Sequence, residues 1–413
     1  MDKENKRVLI VSDVPIYTIK NGIGIRVLEE TLKGFMNRSY TIDLFYPSYD
    51  PDSSFNNKKG FERINDYSWY VPNYFRLIKT PYLSYITRSL SWIYFLIKFK
   101  KDFFSHLKSN EYNVHYGIGN LGSFLIHRNF LSDDAVKVSR LLGTASLHKR
   151  YNHPLKRLLV YPYLMAYKVK SDLYVITDDG TSGHLLMGKV NKYNPPYLYL
   201  RNGIDKEIFG KKSSIESLKK KYNISDDVKV LLTVNRLSKE KRVDRLIKMM
   251  KDLEDDNTVL FVVGDGEMRP ILEAMAYRFG VHDKVVFTGA LPHLKISDYL
   301  ILCDVFLSVN DTSNASNPVF EAMTAGCCIV AINNGTTASI FGQDSASLIE
   351  PDSVNKLSEI VAELLKDDAK RGELKKNAKK HAEETILSWE ERISLELNHI
   401  ETYMKGKKKN WLN

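Results

Sequence analysis

Two cations in the second half of the chain have the type and spacing of a diphosphate clamp. Arg236 ends the apolar run VKVLLTVNR, which is typical of a buried parallel strand, and Lys241 follows where the next helical pattern begins. Ligands of open parallel sheets bind beyond the carboxyl ends of the strands. A forked guanidinium and a compact ammonium at such an end suit a diphosphate. The alternative is that both are ordinary solvated side chains of a lysine-rich protein.

A second polar stretch follows another predicted strand. FLSVNDTSNASNPVFEAM, residues 306–323, passes from an apolar run through small polar residues to a predicted helix that contains Glu321. Backbone N–H groups at the start of this helix would suit an anion or a sugar. The Glu321 carboxylate would be repelled by a diphosphate, but it can accept hydrogen bonds from the hydroxyls of a ribose. In isolation, Glu321 is also typical of an acid that the helix dipole stabilises.

Two glycine turns follow predicted strands and precede predicted helices. Gly22 and Gly24 come after VLIVSD, and Gly264 lies in VVGDGE. Glycine lets backbone N–H groups approach a ligand at a helix N-terminus. A third glycine of the dinucleotide fingerprint is absent, because Val27 occupies its position, so an NAD site is not favoured. Structural turns remain the alternative for both segments.

The elements that must position these residues alternate between strand and helix patterns. One series starts at VLIVSD, and a second starts near Val228. Such alternation predicts an α/β fold of two doubly wound parallel sheets. The lysine- and serine-rich stretch 210–227 is interpreted as the linker between them. We expect domains at 1–205 and 206–388, and a final helical segment, 389–413, that packs back on the first domain.

The composition excludes several classes of protein. The chain has 413 residues, 43% of them hydrophobic and 27% charged, with a net charge of +10 and three cysteines, all in apolar runs. This is typical of a soluble protein of the reducing cytoplasm, and the excess positive charge suits anionic partners. No transmembrane helix and no signal peptide are predicted. Nucleic acid is not favoured, because the lysine runs lie in predicted linker and tail segments and no nucleic-acid motif occurs.

An aromatic-rich segment at 61–104 interrupts the α/β pattern. Within it, RSLSWIYFLIKFKKDFF combines an apolar face with four cations. A basic amphipathic helix with aromatic residues can lie in a membrane interface. The alternative, which the sequence leaves open, is a helix that buries its aromatic side chains in the first domain.

Six fragments in order resemble the retaining glycosyltransferases of family 4, which have the GT-B fold. The fragments are the early GIG loop, LYLRNGIDKEIF, TVNRLSKEKRVDRLI, VVGDGEMRPILEAMAYRFGVHDKVVFTGAL, the pair CDVFLSV and NPVFEAMTAGCCIVA, and the Ser388-Trp389-Glu390 start of the last helix. The resemblance covers most of the chain. It implies two Rossmann-like domains that face a cleft and transfer of a sugar from a nucleotide-diphosphate sugar, with a UDP-sugar favoured, to a glycan or lipid-linked acceptor. It implies no cofactor and no metal. Peripheral contact with a membrane is also expected, in agreement with the aromatic segment.

Carried over residue by residue, the resemblance gives each candidate a role. Arg236 and Lys241 correspond to the catalytic pair that holds the donor diphosphate and stabilises its departure, and Glu321 corresponds to the ribose-binding glutamate. The other positions that correspond to donor contacts are Gly24, Gly264, Asn317, Pro318 and Val319.

The chain also departs from the family pattern. The first of the family's two glutamates falls on Ser313, and a histidine common in the first domain falls on Leu142. His148 is a candidate substitute on the acceptor side, although a lone histidine is more often structural. Asp179, in the turn DDGTSG, is a second acceptor-side candidate, and a capping turn is the alternative.

Two rival functions follow from these departures and from one further motif. Loss of the glutamate and the histidine is compatible with a non-catalytic protein that binds nucleotide sugars as a sensor. Asp50 and Asp52 have the Asp-x-Asp spacing of a metal-dependent transferase, but that fold leaves the second α/β series unexplained.

Overall fold

The computed structural model describes residues 6–13, 26–48, 62–70, 90, 94, 97, 100–127, 134–143, 147–206, 212–253, 255 and 257–409. The chain forms two compact units. Unit 1 comprises Met1–Asp178, Ser182–Asn202 and Trp389–Asn413, and unit 2 comprises Asp179–Thr181 and Gly203–Ser388.

Unit 1 is built on a seven-stranded parallel sheet of order β3-β2-β1-β4-β5-β6-β7. Its central strands are almost wholly buried, as expected for a parallel sheet that is covered on both faces. The strands are β1 (Arg7–Ser12), β2 (Thr41–Ser48), β3 (Ile64–Tyr70), β4 (Val114–Ile118), β5 (Val136–Leu141), β6 (Leu173–Thr177) and β7 (Tyr197–Leu200).

The helices of unit 1 include one from the far end of the chain. They are α1 (Arg26–Asn37), α2 (Lys100–Lys108), α3 (Gly119–Leu125), α4 (Leu147–Tyr151), α5 (Pro154–Lys168), α6 (Gly183–Val190) and α14 (Trp389–Lys409). In α14, Ile393, Leu397 and Ile400 are buried in the same apolar cluster as Leu32 and Phe35 of α1. The last helix is therefore an integral part of the unit 1 core.

Unit 2 is built on a six-stranded parallel sheet of order β10-β9-β8-β11-β12-β13. Its strands are β8 (Lys229–Val234), β9 (Thr258–Val263), β10 (Val285–Gly289), β11 (Val305–Ser308), β12 (Cys328–Ile332) and β13 (Ser347–Ile349). Successive side chains alternate between two apolar cores, as with Leu231 on one face and Leu232 on the other. The strand order reverses between β8 and β11, and this switch point is where a doubly wound sheet opens a crevice for a ligand.

Helices cover both faces of the unit 2 sheet. They are α7 (Lys212–Lys221), α8 (Val243–Asp252), α9 (Arg269–Arg278), α10 (His293–Leu302), α11 (Asn317–Ala325), α12 (Leu357–Lys366) and α13 (Asp368–Thr385), with short 3-10 helices at Lys239–Lys241, Thr337–Ile340 and Pro351–Lys356. The predicted linker, 210–227, contains α7. Leu218 lies in the unit 2 core with Tyr222 packed beside it, so apolar residues at helical spacing override the polar composition.

Most of the aromatic segment 61–104 lies outside the described residues. Near its end, Phe103 is buried and packs edge-on against Phe45, with ring centroids 4.9 Å apart. Within the described part of the chain, none of the helices combines the length and the apolar composition that crossing a membrane requires.

Candidate functional site

Arg236 is held in place by its two neighbours at the carboxyl end of β8. The Asn235 N–H donates to Val263 O at 3.0 Å, and the Leu237 N–H donates to Asp265 O at 2.9 Å. Leu237 is buried, whereas the Arg236 side chain is exposed. The backbone is therefore fixed on both sides of a guanidinium that faces solvent.

Gly264 makes this arrangement possible. It has φ +132°, and a Cβ atom at this position would overlap Asn235 O. The Gly264 N–H donates to Gly289 O at 3.0 Å, which anchors the turn on the neighbouring strand. The close backbone approach that the sequence predicts is thus made to the loop that carries Arg236. A contact of Gly264 with a donor stays a prediction.

Lys241 ends the 3-10 helix that follows Arg236, and the residue is half-buried. Burial lowers the pKa of Lys241, and the nearby Arg236 charge lowers it further, against opposing effects of Glu240 and Asp179. No hydrogen bond or ion pair joins either cationic side chain to any described residue. Arg236 and Lys241 therefore lie close enough for their charges to interact, and an incoming anion would stabilise both.

The polar loop after β11 is bound to the loop that carries these cations. The Asp311 N–H donates to Glu240 O at 3.0 Å, and Arg242 forms an ion pair with Asp311 at 3.0 Å. Arg245 donates to Val309 O at 2.8 Å. The carboxyl ends of β8 and β11 are thereby joined into one site.

Asn314 organises the interior of this polar loop. Its side-chain oxygen accepts hydrogen bonds from Ser308 Oγ at 2.7 Å and from the Asn310 N–H at 3.1 Å. Its side-chain nitrogen donates to Ile332 O, and its backbone N–H donates to Thr337 Oγ1. Asn314 is fully buried, so part of the polarity that indicated a ligand site serves to fold the loop.

Ser313, at the position of the family's first glutamate, is also buried. Its hydroxyl accepts a hydrogen bond from the Ala315 N–H at 3.1 Å. Gly180, with φ +75°, lies so close that a Cβ atom there would overlap the Ser313 hydroxyl. The space that a longer acidic side chain would need on this side is therefore occupied by backbone.

We expect Ser313→Glu to destabilise the protein by about 2 kcal/mol, because the larger side chain must displace the Gly180 backbone or leave its pocket. Chemical denaturation of the full chain measures this loss. Thr312→Glu, the same acid one residue earlier at a half-buried position, is the matched control. Equal stability of the two variants would contradict the packing argument.

The first turn of α11 uses some of the donors that the sequence assigned to a ligand. The Val319 and Phe320 N–H groups both donate to Ser316 O, at 3.0 and 3.1 Å. Pro318 has no N–H. Donor contacts by Asn317, Pro318 and Val319 stay predictions, and the Val319 amide is engaged within the helix.

Glu321 lies one turn into α11 and has a partner that the sequence did not indicate. Its Oε1 atom is 2.8 Å from Nε2 of His293, and Nδ1 of His293 is 3.5 Å from Asp205 Oδ2. His293 begins α10, just beyond the carboxyl end of β10. The position of His293 after a predicted strand is the one feature of the sequence that could have indicated a site residue. A single histidine in GALPHLK does not reveal that its partner, Glu321, lies 28 residues further along the chain.

The other predicted residues have varied outcomes. Asp179 accepts hydrogen bonds from the backbone and side chain of Thr181, at 3.1 and 2.5 Å, which is the capping turn offered as its alternative. His148 lies in α4, but its side chain is outside the described set. Gly24, Asp50 and Asp52 lie outside the described residues. The acceptor-side and phosphate-binding roles stay predictions.

Among the residues that the structure describes, no three His, Cys, Asp or Glu side chains are grouped closely enough to hold a metal ion. The chemistry of the described site is that of two partnerless cations and one half-satisfied carboxylate. Such a set can bind an anion and, beside it, a group with hydroxyls.

Several glycosyltransferases are similar to this chain. Residues 214–381 match the family model of glycosyl transferases group 1. The chain is 24% identical to an uncharacterized glycosyltransferase of Methanocaldococcus jannaschii over 371 residues, which are 87% of this chain and 88% of that protein. It is 27% identical to the alpha-monoglucosyldiacylglycerol synthase of Streptococcus pneumoniae over 139 residues, about a third (32%) of each chain.

A solved structure is similar over nearly the whole chain. The Anabaena protein HepE, solved in complex with UDP-glucose, matches with a TM-score of 0.67 at 16% identity, over 95% of this chain and 99% of that chain. The predicted fold class, with two Rossmann-like domains of the GT-B type, is confirmed. The family-model match includes Arg236, Lys241 and Glu321.

Proposed function

We propose that this chain, a glycosyltransferase of the GT-B fold, moves a sugar from a nucleotide-diphosphate sugar to a hydroxyl group of a glycan or lipid-linked acceptor. A UDP-sugar is the favoured donor, the anomeric configuration is retained, and no metal ion takes part. The observation that carries the proposal is the pair Arg236 and Lys241, which lies without partners among the described residues at the switch point of the unit 2 sheet.

The charge of each residue decides which part of the donor it contacts in the proposed reaction. When the bond between the sugar and the diphosphate breaks, negative charge grows on the departing phosphate oxygen, and Arg236 and Lys241 stabilise it. The acceptor hydroxyl forms the new bond to the sugar on the same face, and its proton passes to the departing phosphate. Glu321 binds the ribose, where its negative charge does not oppose the diphosphate.

The choice of donor and acceptor is supported by the similar proteins. HepE was solved with UDP-glucose, and the Streptococcus pneumoniae relative is named for a glucosylated diacylglycerol. The net charge of +10 suits an anionic lipid-linked acceptor. Contact with a membrane surface belongs to the same proposal.

A panel of nucleotide sugars tests the function. The full chain is incubated with UDP-, GDP- and ADP-sugars together with glycan or lipid-linked acceptors, and release of the nucleoside diphosphate is measured with and without a chelator. We expect turnover of a UDP-sugar that the chelator does not reduce, and NMR of the product should show the donor's anomeric configuration. Turnover that stops with the chelator, or an inverted product, would refute those parts of the mechanism. If the chain binds nucleotide sugars but turns over none of the donors with any acceptor, the alternative of a non-catalytic nucleotide-sugar sensor would be favoured.

A further inference from the structure

Glu321 is a buried acid held by a second side chain. Its side chain is 10% exposed, and His293, 24% exposed, faces it at 2.8 Å. A carboxylate oxygen only accepts, so Nε2 of His293 donates this hydrogen bond. Oxygen Oε1 of Glu321 is thereby fixed, while Oε2 has no hydrogen-bond partner among the described residues.

His293 is in turn held from its other side. Nδ1 of His293 lies 3.5 Å from Asp205 Oδ2, and the Asp205 side chain is 19% exposed. Asp205 belongs to the sequence NGID, directly after the chain enters unit 2. The neighbouring Ile204 N–H donates to Leu387 O at 3.1 Å, so the backbone that carries Asp205 is also anchored.

We propose that His293 is a positioning residue for the donor nucleotide: it orients Glu321 to accept both ribose hydroxyls, and Asp205 orients the imidazole. This inference rests on the proposed function and deepens it. It assigns a role to Asp205, the acid of the NGID motif, for which the sequence indicated no role. It also accounts for an imidazole at the carboxyl edge of the sheet that forms no hydrogen bond or ion pair with Arg236 or Lys241.

The physical reason is preorganisation. A free glutamate side chain samples several rotamers, and ordering it on binding weakens the complex. With Oε1 bonded to His293, the carboxylate already has one orientation, and its remaining lone pairs are available to two neighbouring hydroxyls of a bound ribose. Burial makes this partner more important, because an unpaired carboxylate in a dry site is costly.

The test compares two probes that differ only in the ribose. Affinities of UDP and 2′,3′-dideoxy-UDP for the full chain are measured by calorimetry. We expect the wild type to prefer UDP by roughly tenfold or more, the size of a charged hydrogen bond. His293→Ala should lose most of this preference, and His293→Gln, which retains a donor near Nε2, should keep much of it. Asp205→Asn should lose a smaller part.

Kinetics separate positioning from general damage. His293→Ala should raise KM for the UDP-sugar with a much smaller change in kcat, because the ribose does not change during the reaction. His282→Ala, at an exposed histidine of the same unit, is the matched control and should change neither KM nor kcat. In a Glu321→Ala background, His293→Ala should have no further effect on the preference for UDP.

The outcomes distinguish the inference from the function on which it rests. If wild type binds no nucleoside diphosphate, the proposed function and this inference both fall. If UDP binds and His293→Ala keeps the full preference for ribose hydroxyls, only the role of His293 is overturned. If His293→Ala does not fold, Asp205→Asn and His293→Gln are compared instead. If both variants keep the full wild-type preference for UDP over 2′,3′-dideoxy-UDP, the proposed role of the contacts from Asp205 through His293 to Glu321 is overturned.

Discussion

Turnover falls by about 10²–10³ when either Lys241 or Arg236 is replaced by alanine, the loss typical of one preorganised donor to a developing negative charge. Neither side chain has a partner among the described residues, so its removal does not disrupt folding contacts of the known part of the structure. Burial and the charge of Arg236 lower the pKa of Lys241, so its surroundings destabilise the ammonium, and a bound diphosphate would offset this effect. Steady-state assays with a saturating donor measure the effect.

A control in the same turn makes this result specific. Lys239 lies two residues before Lys241 in the 3-10 helix and is exposed, so Lys239→Ala should leave turnover within about twofold. Arg236→Lys should restore only part of the activity, because a single ammonium cannot form two parallel hydrogen bonds. Near-normal turnover in both Lys241→Ala and Arg236→Ala would remove the basis of the proposed mechanism.

The fold and the cationic pair could be predicted because both depend on local pattern. Apolar runs such as LYVIT and VLFVV fix buried strands, and their alternation with helices fixes a doubly wound sheet. Arg236 and Lys241 follow from a general property of such sheets, whose ligands bind at carboxyl edges. Composition misled where it competed with spacing, as in α7, whose lysines obscure the buried Leu218.

The direction of polar side chains could not be predicted, because it depends on contacts distant in sequence. Asn314 and Ser313 have the composition of a binding loop, yet both face the protein interior. His293 is an unremarkable residue in the sequence until α10 and α11 bring it against Glu321. Residue type thus predicts the chemistry available at an edge of the sheet, and the packing of neighbouring loops decides which groups remain for a ligand.

The same limit applies to the helix that closes unit 1. The pattern of SWEERISLELNHI predicts an amphipathic helix that packs on the first domain, but not the charges buried beneath it. Glu396 is fully buried, and it accepts hydrogen bonds from Arg140 at 2.8 Å and from Tyr116 and Arg392. Arg140 and Tyr116 lie on β5 and β4, so one carboxylate ties α14 to two strands of the sheet.

Replacing Glu396 by glutamine should therefore destabilise the protein by about 3–5 kcal/mol, because two buried guanidinium groups are left without a counter-charge. Within the described part of the chain, three of their nitrogen atoms, Arg140 Nε and Nη2 and Arg392 Nη2, already lack hydrogen-bond partners, so the cluster has little other means of compensation. Urea unfolding of the full chain measures the loss. Glu390→Gln, at an exposed acid of the same helix, is the matched control and should change stability by less than about 0.5 kcal/mol.

The dependence of this loss on pH identifies charge as its cause. Burial alone would raise the pKa of Glu396, but the charges of Arg140 and Arg392 outweigh it and lower the pKa below its usual value. A lowered pKa in the folded state means that the carboxylate stabilises the protein above the unfolded value of about 4.3, and that this contribution disappears as the pH falls through the folded pKa. The stability difference between wild type and Glu396→Gln should therefore be largest near neutral pH and shrink on acidification. A difference that stays constant from pH 7 to pH 3 would mean that the glutamine variant loses packing or hydrogen bonds rather than a buried counter-charge.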